Sequence, residues 1–219
     1  MNEFYGEQHR QWQQEHGTEA LADRVKELIV LTEIPEMHQA FIENRDMFFL
    51  TSIDHRGFPT CSYKGGAPGF VKVLDPQTIA FPSYDGNGMF LSLGNLSVNN
   101  KIGMLFIDFE HPHRLRLHGT AGIDKADPLL SEFPGADLVV RIAISEIFVN
   151  CPRYIHQYQR VQISKYAPQA GNEKPDAPQW KRIDAIQDAL PERDKHVAEQ
   201  MGGCISPEEY GELLVKGLG

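Results

Sequence analysis

Across residues 47–122, short runs of β-branched and aromatic residues alternate with clusters of Gly, Pro, Asn and Asp. The runs cover 48–53, 60–64, 70–74, 79–82, 102–109 and 115–121, and a further strand is expected over 138–149. Strands this short, at this spacing, point to an all-β barrel rather than an α/β fold. The remaining segments read as helices flanking the sheet, so the expected class is mainly β with flanking helices.

Several boundaries follow from local chemistry. Asp54 and Gly57 supply a hairpin turn between the first two strands, and Pro59 opens the second, where a missing N–H matters little. Ahead of the barrel, residues 1–17 read as a loose arm or a frayed helix. Thr18 reads as an N-cap, followed by Leu21, Val25, Leu28 and Ile29 on one helical stripe. Pro35 should be the first residue of a second helix, with Met37, Phe41 and Ile42 inward. Met89, Phe90, Leu93 and Leu96 recur at helical spacing, predicting a helix over 88–98 directly after a polar glycine turn. Further helices are expected over 153–160 and 183–189, and from Ser206-Pro207-Glu208-Glu209 onward. Domain boundaries are expected at 1–45 (N-terminal arm and helices), 46–160 (barrel) and 161–219 (linker and helical tail).

Charge narrows the function. The 219 residues carry 21 basic and 30 acidic side chains, a net charge of −9. Nucleic acid and anionic membrane both require a positive surface, so neither is an expected partner. No apolar run approaches the roughly 20 residues of a membrane span, and residues 1–17 are too polar for a signal peptide. Cys61, Cys151 and Cys204 are widely spaced and odd in number, which fits reduced thiols and a cytoplasmic location. His111-Pro112-His113 lacks partners at ligand spacing, so no metal site is expected.

Four constellations could carry chemistry. Alternation along 60–64 puts Ser62 and Lys64 on one strand face and Cys61 and Tyr63 on the other. A hydroxyl and an ammonium beside the glycine loop 65–69 suit a phosphate, although an exposed edge strand fits the same pattern. The segment 83–92 combines a glycine turn with a helix start, where free N–H groups and the helix dipole favour an anion; a plain capped turn is the other reading. Arg114, Arg116 and His118 share one strand face, either as a solvated surface or as an anion site that relieves their repulsion. Arg153, His156 and Arg160 would share a helix face, which is more simply a wet surface. No general acid or base is legible, and no nucleophile elbow, P-loop or dinucleotide fingerprint appears.

Six pieces of sequence occur together in order. They are Leu50-Thr51-Ser52-Ile53-Asp54-His55-Arg56-Gly57-Phe58-Pro59; Gly69-Phe70-Val71-Lys72-Val73-Leu74; Asp85-Gly86-Asn87-Gly88-Met89 with Leu93-Gly94-Asn95; Gly103-Met104-Leu105-Phe106-Ile107-Asp108-Phe109; Arg114-Leu115-Arg116-Leu117-His118-Gly119; and Asn150-Cys151-Pro152-Arg153-Tyr154-Ile155. Through them residues 46–160 resemble the FMN-binding split-barrel proteins related to pyridoxamine 5′-phosphate oxidase. The resemblance implies a six-stranded, Greek-key-like split β-barrel and a homodimer with FMN in clefts at the interface. It implies that Cys61, Ser62, Tyr63 and Lys64 line the flavin, and that Phe81, Pro82, Ser83, Asn87, Gly88 and Ser92 flank ribityl and phosphate. Arg114 and Arg116 would complete the anion site, from the other subunit in many members, with Arg153 and His156 closing it. Between Phe81 and Asn100 there is no basic residue. The phosphate charge therefore falls to Lys64, Lys72, Lys101, Arg114, Arg116 or Arg153, or to backbone N–H groups. The C-terminal Arg- and Trp-bearing strand of the oxidase is not recognisable, so the substrate is unknown. The function implied is an FMN-dependent oxidoreductase. The alternatives are a flavin-binding module without turnover, or the same fold holding a deazaflavin or haem, the last with His118 or His156 as axial ligand.

Overall fold

The computed structural model describes residues 4–169, 171–172 and 175–219. The chain divides into two units, Met1–Gln162 and Ile163–Gly219.

The first unit is a seven-stranded antiparallel sheet ordered β2-β1-β5-β6-β7-β4-β3. Its strands are β1 (Met47–Ile53), β2 (Pro59–Gly65), β3 (Lys72–Asp75), β4 (Thr78–Tyr84), β5 (Lys101–Asp108), β6 (His113–Asp124) and β7 (Ala136–Val149). This is the split-barrel fold, with one strand more than the six the family resemblance implied. The β1–β2 hairpin turns as expected: Asp54 Oδ1 accepts from the Arg56 and Phe58 N–H groups, both at 2.9 Å, and Gly57 takes φ +89°.

The sheet wraps on itself because one face of every central strand is apolar. Phe48 and Leu50 of β1, Met104 and Phe106 of β5, Leu115 and Leu117 of β6, and Ile142 and Ile147 of β7 are buried in one cluster with Phe81 of β4. Three strands separate β1 from β4 in the sheet, yet the Phe48 and Phe81 rings meet edge to face at 5.0 Å across the interior. The outer face of β5, which carries Leu105 and Ile107, is only half covered. In β6 the register slips between His118 and Gly119 opposite β7, and the strands close tightly there. A Cβ on Gly119 would stand 2.6 Å from both the Ala143 carbonyl oxygen and Ile142 Cγ2.

Three helices precede the sheet: α1 (Glu7–Glu15), α2 (Glu19–Ile29) and α3 (Glu36–Glu43). The leading segment is thus a formed helix, tied to α2 by the Arg10–Asp23 ion pair at 2.7 Å and by Tyr5 donating to the Ala22 carbonyl. Pro35 stands at the N-cap of α3 and not inside it. Ile42 is fully buried, but Met37 is exposed, as are Leu21, Val25 and Leu28 of the α2 stripe. The helix expected from residue 88 begins later, as α4 (Leu91–Val98). Gly88 at φ +78° and Phe90 at φ +48° hold the chain in the left-handed region until then. Residues 153–160 form no helix. Their donors go to tertiary acceptors: Tyr158 N–H to the Phe109 carbonyl, the Gln157 amide to the Glu110 carbonyl, and the Arg160 guanidinium to Asp46.

The second unit is built from short turns. Its expected helix over 183–189 is a 3₁₀ segment, Asp184–Ala189. Ile183 and Ile205 form a parallel bridge, and the buried Lys181 ammonium donates to Asp194 at 2.9 Å. A short helix α5 (Val197–Gln200) precedes α6 (Pro207–Val215). That last helix starts where its signals place it: Ser206 and Glu209 exchange capping-box hydrogen bonds, with Pro207 in the first turn.

Two tests follow from this packing. Gly119→Ala should lower the unfolding free energy by about 1–3 kcal/mol in urea denaturation, because its methyl group meets backbone. His38 of α3 is 7% exposed, with Nδ1 lacking a partner. Burial, and then the neighbouring His113, hold its pKa below the ordinary 6.5. The unfolded chain therefore takes up this proton first as pH falls through 6.5, and stability declines there. His38→Gln should flatten the pH dependence of the urea midpoint between about pH 6.5 and 5, above the usual carboxylate range.

Candidate functional site

The sheet does not close completely, and the gap is a cleft. β4 pairs with β3 only over Thr78–Ala80, so the stretch 81–84 has no strand on that side. β2 ends the sheet, so its far edge is also unpaired. These two edges, with α4 along one side, line a cleft of about 300 Å³. Its walls are Lys64 and Gly65 of β2, Phe81 to Tyr84 of β4, and Ser92, Leu93 and Leu96 of α4, with Leu50 and Phe70 beneath. That volume lies at the lower end of small-molecule sites, about 300–1,000 Å³. Unpaired strand edges bring free backbone N–H and C=O groups to a largely apolar slot, which suits a flat ligand with a polar rim.

Of the residues singled out from sequence, the cleft gathers Tyr63, Lys64, Phe81, Pro82, Ser83 and Ser92. Ser62 stands just behind, accepting from Ser92 Oγ at 3.3 Å. Asn87 and Gly88 form the turn leading to α4, where Asn87 Oδ1 accepts from Met89 N–H at 3.2 Å. Cys61 faces the other way and is exposed. Arg114 and Arg116 lie on the outer face of β6, and Arg153 lies in the coil after β7, its guanidinium 5.9 Å from the Tyr154 ring centre. One protomer therefore does not bring Lys64 and the two β6 arginines together.

Two side-chain rungs tie α4 to β2. Ser92 meets Ser62, and one turn further along the helix Asn95 Nδ2 donates to Thr60 Oγ1 at 3.0 Å. Asn95 also donates to Ser52 Oγ of β1 at 3.0 Å, and Ser52 bonds Thr60 at 2.9 Å. Three helical residues rise about 4.5 Å and two strand residues about 6.8 Å, so the elements run antiparallel, rung against rung. Continuing the series takes β2 from Thr60 and Ser62 to Lys64, and α4 from Asn95 and Ser92 to the turn before Leu91. Lys64 and Ser92 of the first turn of α4 line the same cleft, and α4 has no side-chain cap. Burial holds the Lys64 pKa below the lysine range, and its ammonium has no carboxylate partner among the described residues. An ammonium and a helix N-terminus, both positive, border the cleft, which the Asp85 carboxylate also lines. The Tyr84 phenol in the same cleft is pushed up by burial, which keeps it a neutral donor.

The outer face holds a second cationic group. Arg114 donates to the Cys151 carbonyl at 2.8 Å, and Arg116 sits 5.7 Å from the Phe148 ring centre. His118 Nδ1 lies 2.7 Å from Glu146 Oε1. The sequence reading took Ser52 and Asn95 only as parts of the family motifs, and gave no role to Thr60 or Glu146. Glu146 was hidden by the β-bulge that places it opposite His118. Among the described residues no cluster of His, Cys, Asp and Glu could hold a metal ion, and no helix is long and apolar enough to cross a membrane.

No curated protein matches the chain. Among solved structures, HupZ of Group A Streptococcus aligns at 19% identity and TM-score 0.45, over 57% of this chain and 99% of its own. An FMN-binding protein from Syntrophomonas wolfei aligns at 12% identity and TM-score 0.43, over 64% and 97%. HutZ, the heme storage protein of Vibrio cholerae, aligns at 17% identity and TM-score 0.38, over 53% and 94%. The family model for pyridoxamine 5′-phosphate oxidase matches residues 34–165. That match takes in more than half of the chain and every strand of the sheet, and the chain belongs to the pyridoxamine 5′-phosphate oxidase family.

Proposed function

We propose that this protein binds FMN in the cleft between β2, β4 and α4 and works as an FMN-dependent oxidoreductase, with the cleft completed by a second copy of the chain. The observation that carries this reading is Lys64: half-buried, without a carboxylate partner among the described residues, and lining with Ser92 of the first turn of α4 a cleft that Asp85 also borders. The donor set fits the group. A phosphate monoester would take the Lys64 ammonium, the Ser62 and Ser92 hydroxyls and the first backbone N–H groups of α4. The ring would lie between the unpaired edges, flanked by Tyr63, Phe81 and Pro82, with Ser83 and the neutral Tyr84 phenol as polar partners. Electron transfer is the chemistry that a bound flavin supplies. The chain's own residues orient the ring, shield it from water and hold the phosphate. Substrate and electron donor are left unassigned.

The second copy is supported by the outer face of the sheet. β5 exposes Leu105 and Ile107 there, half covered, beside Arg114 and Arg116. Among the described residues neither arginine has a carboxylate partner, although most arginines of this acidic chain are paired. An apolar strip rimmed by unpaired cations suits a homodimer seam that delivers arginine to an anion.

Protein purified without added cofactor should show a flavin absorption spectrum, or acquire one on mixing with FMN. A colourless protein that fails to quench FMN fluorescence would refute the reading. Lys64→Glu should weaken FMN binding by about 10- to 100-fold, the loss of a charge-assisted hydrogen bond of roughly 1.5–3 kcal/mol, and leave riboflavin binding nearly unchanged. In the wild type, FMN affinity should fall as pH rises through the lowered pKa of Lys64, since only the ammonium neutralises phosphate. Arg116→Glu should shift sedimentation equilibrium toward monomer; an unchanged dimer would place the seam elsewhere.

A further inference from the structure

We infer that Asn95 is a positioning residue for the anion end of the cleft, setting where α4 stands relative to Lys64 and so how far the site prefers a phosphorylated flavin to an unphosphorylated one. This inference rests on the FMN reading.

α4 has little to hold it in place by itself. It is eight residues long, has Gly94 in its middle, and begins without a side-chain cap. Two turns of helix with an interior glycine are marginal alone, so the position of α4 is set by what it touches. Its apolar side reaches the core through Leu96, but apolar contact tolerates sliding and rotation. The polar contacts do not tolerate either. The Asn95 amide, 9% exposed, donates to Ser52 and Thr60, both at 3.0 Å, and those two hydroxyls bond each other at 2.9 Å. Ser52 is 2% exposed, so water cannot replace these partners freely.

A leucine at position 95 would fit the apolar surroundings more simply. A buried amide with satisfied donors fixes one register instead, as buried polar networks do. Asn95 and Ser92 are one turn apart on α4, while Thr60, Ser62 and Lys64 follow one another on one face of β2. Seating Asn95 on Thr60 thereby seats Ser92 beside Ser62 and brings the first turn of α4 to the cleft that Lys64 lines. Nothing in this triad contacts the space where a flavin ring would lie, so its influence falls on the phosphate end.

The test compares FMN with riboflavin, by fluorescence quenching, in the wild type and in Asn95→Leu, Thr60→Val and Thr60→Ser. Asn95→Leu and Thr60→Val should each weaken FMN about tenfold while riboflavin stays within about twofold. Thr60→Ser, which keeps the hydroxyl, should retain the wild-type ratio of the two affinities. Thermal unfolding of each variant separates loss of fold from loss of position. The inference is overturned if both latch variants keep the wild-type ratio, or if they lose FMN and riboflavin in equal proportion. Should Asn95→Leu fail to fold, Thr60→Val against Thr60→Ser decides alone. A wild type that binds neither flavin overturns the FMN reading and this inference with it, an outcome distinct from a wild type that binds FMN and variants that bind it equally well.

Discussion

The contact that the rest of the molecule depends on is between Phe48 and Phe81. Hydrogen bonding alone would leave β1 and β4 far apart in an open sheet; burial of apolar side chains draws them together, ring against ring at 5.0 Å. That burial is the dominant favourable term in folding, and it has no directional preference. It brings the strands close enough to share a core without aligning their edges for pairing. The cleft is the consequence. β2 and the end of β4 come near each other and still lack partners, so the gap exposes backbone polar groups and is lined by whatever side chains point inward there.

Charge placement follows the same logic. Arg45, Arg56, Arg141 and Arg160 each have an aspartate partner, and the net charge is negative. Among the described residues, Lys64 in the cleft and Arg114 and Arg116 on the outer face have no carboxylate partner, and they lie on opposite faces of the sheet. In the proposed dimer the two groups meet at one anion, and in a single protomer they cannot. The half-covered outer face of β5 belongs to the same picture, because a strand with apolar residues on both faces has been given only one face to bury.

Much of this was legible beforehand. The strands appeared where alternation and turn residues placed them, since period-two burial is a local property of the chain. Ser62 and Lys64 fell on one face for the same reason, and the Ser206 capping box was readable from four consecutive residues. Helix α4 was readable in kind but not in extent. Its late start depends on Phe90 taking a positive φ, which residue type does not foretell. The segment 153–160 carried helical spacing and formed no helix, because the Tyr158 and Arg160 backbone N–H groups, which an α-helix would use internally, are satisfied by Phe109 and Glu110. Those partners lie over 40 residues away in sequence.

Neighbours within a few residues, and the order of motifs, were enough to set the strands, their inward and outward faces, the hairpin turn and the family. Long-range packing set the rest: that Lys64 has no carboxylate partner among the described residues, that Asn95 latches the helix beside it, and that the β6 arginines face away from the cleft of their own chain. Each of these is a distance between residues remote in the chain. Such distances are set by how the sheet curls and where it fails to close, and no local pattern of residues encodes them.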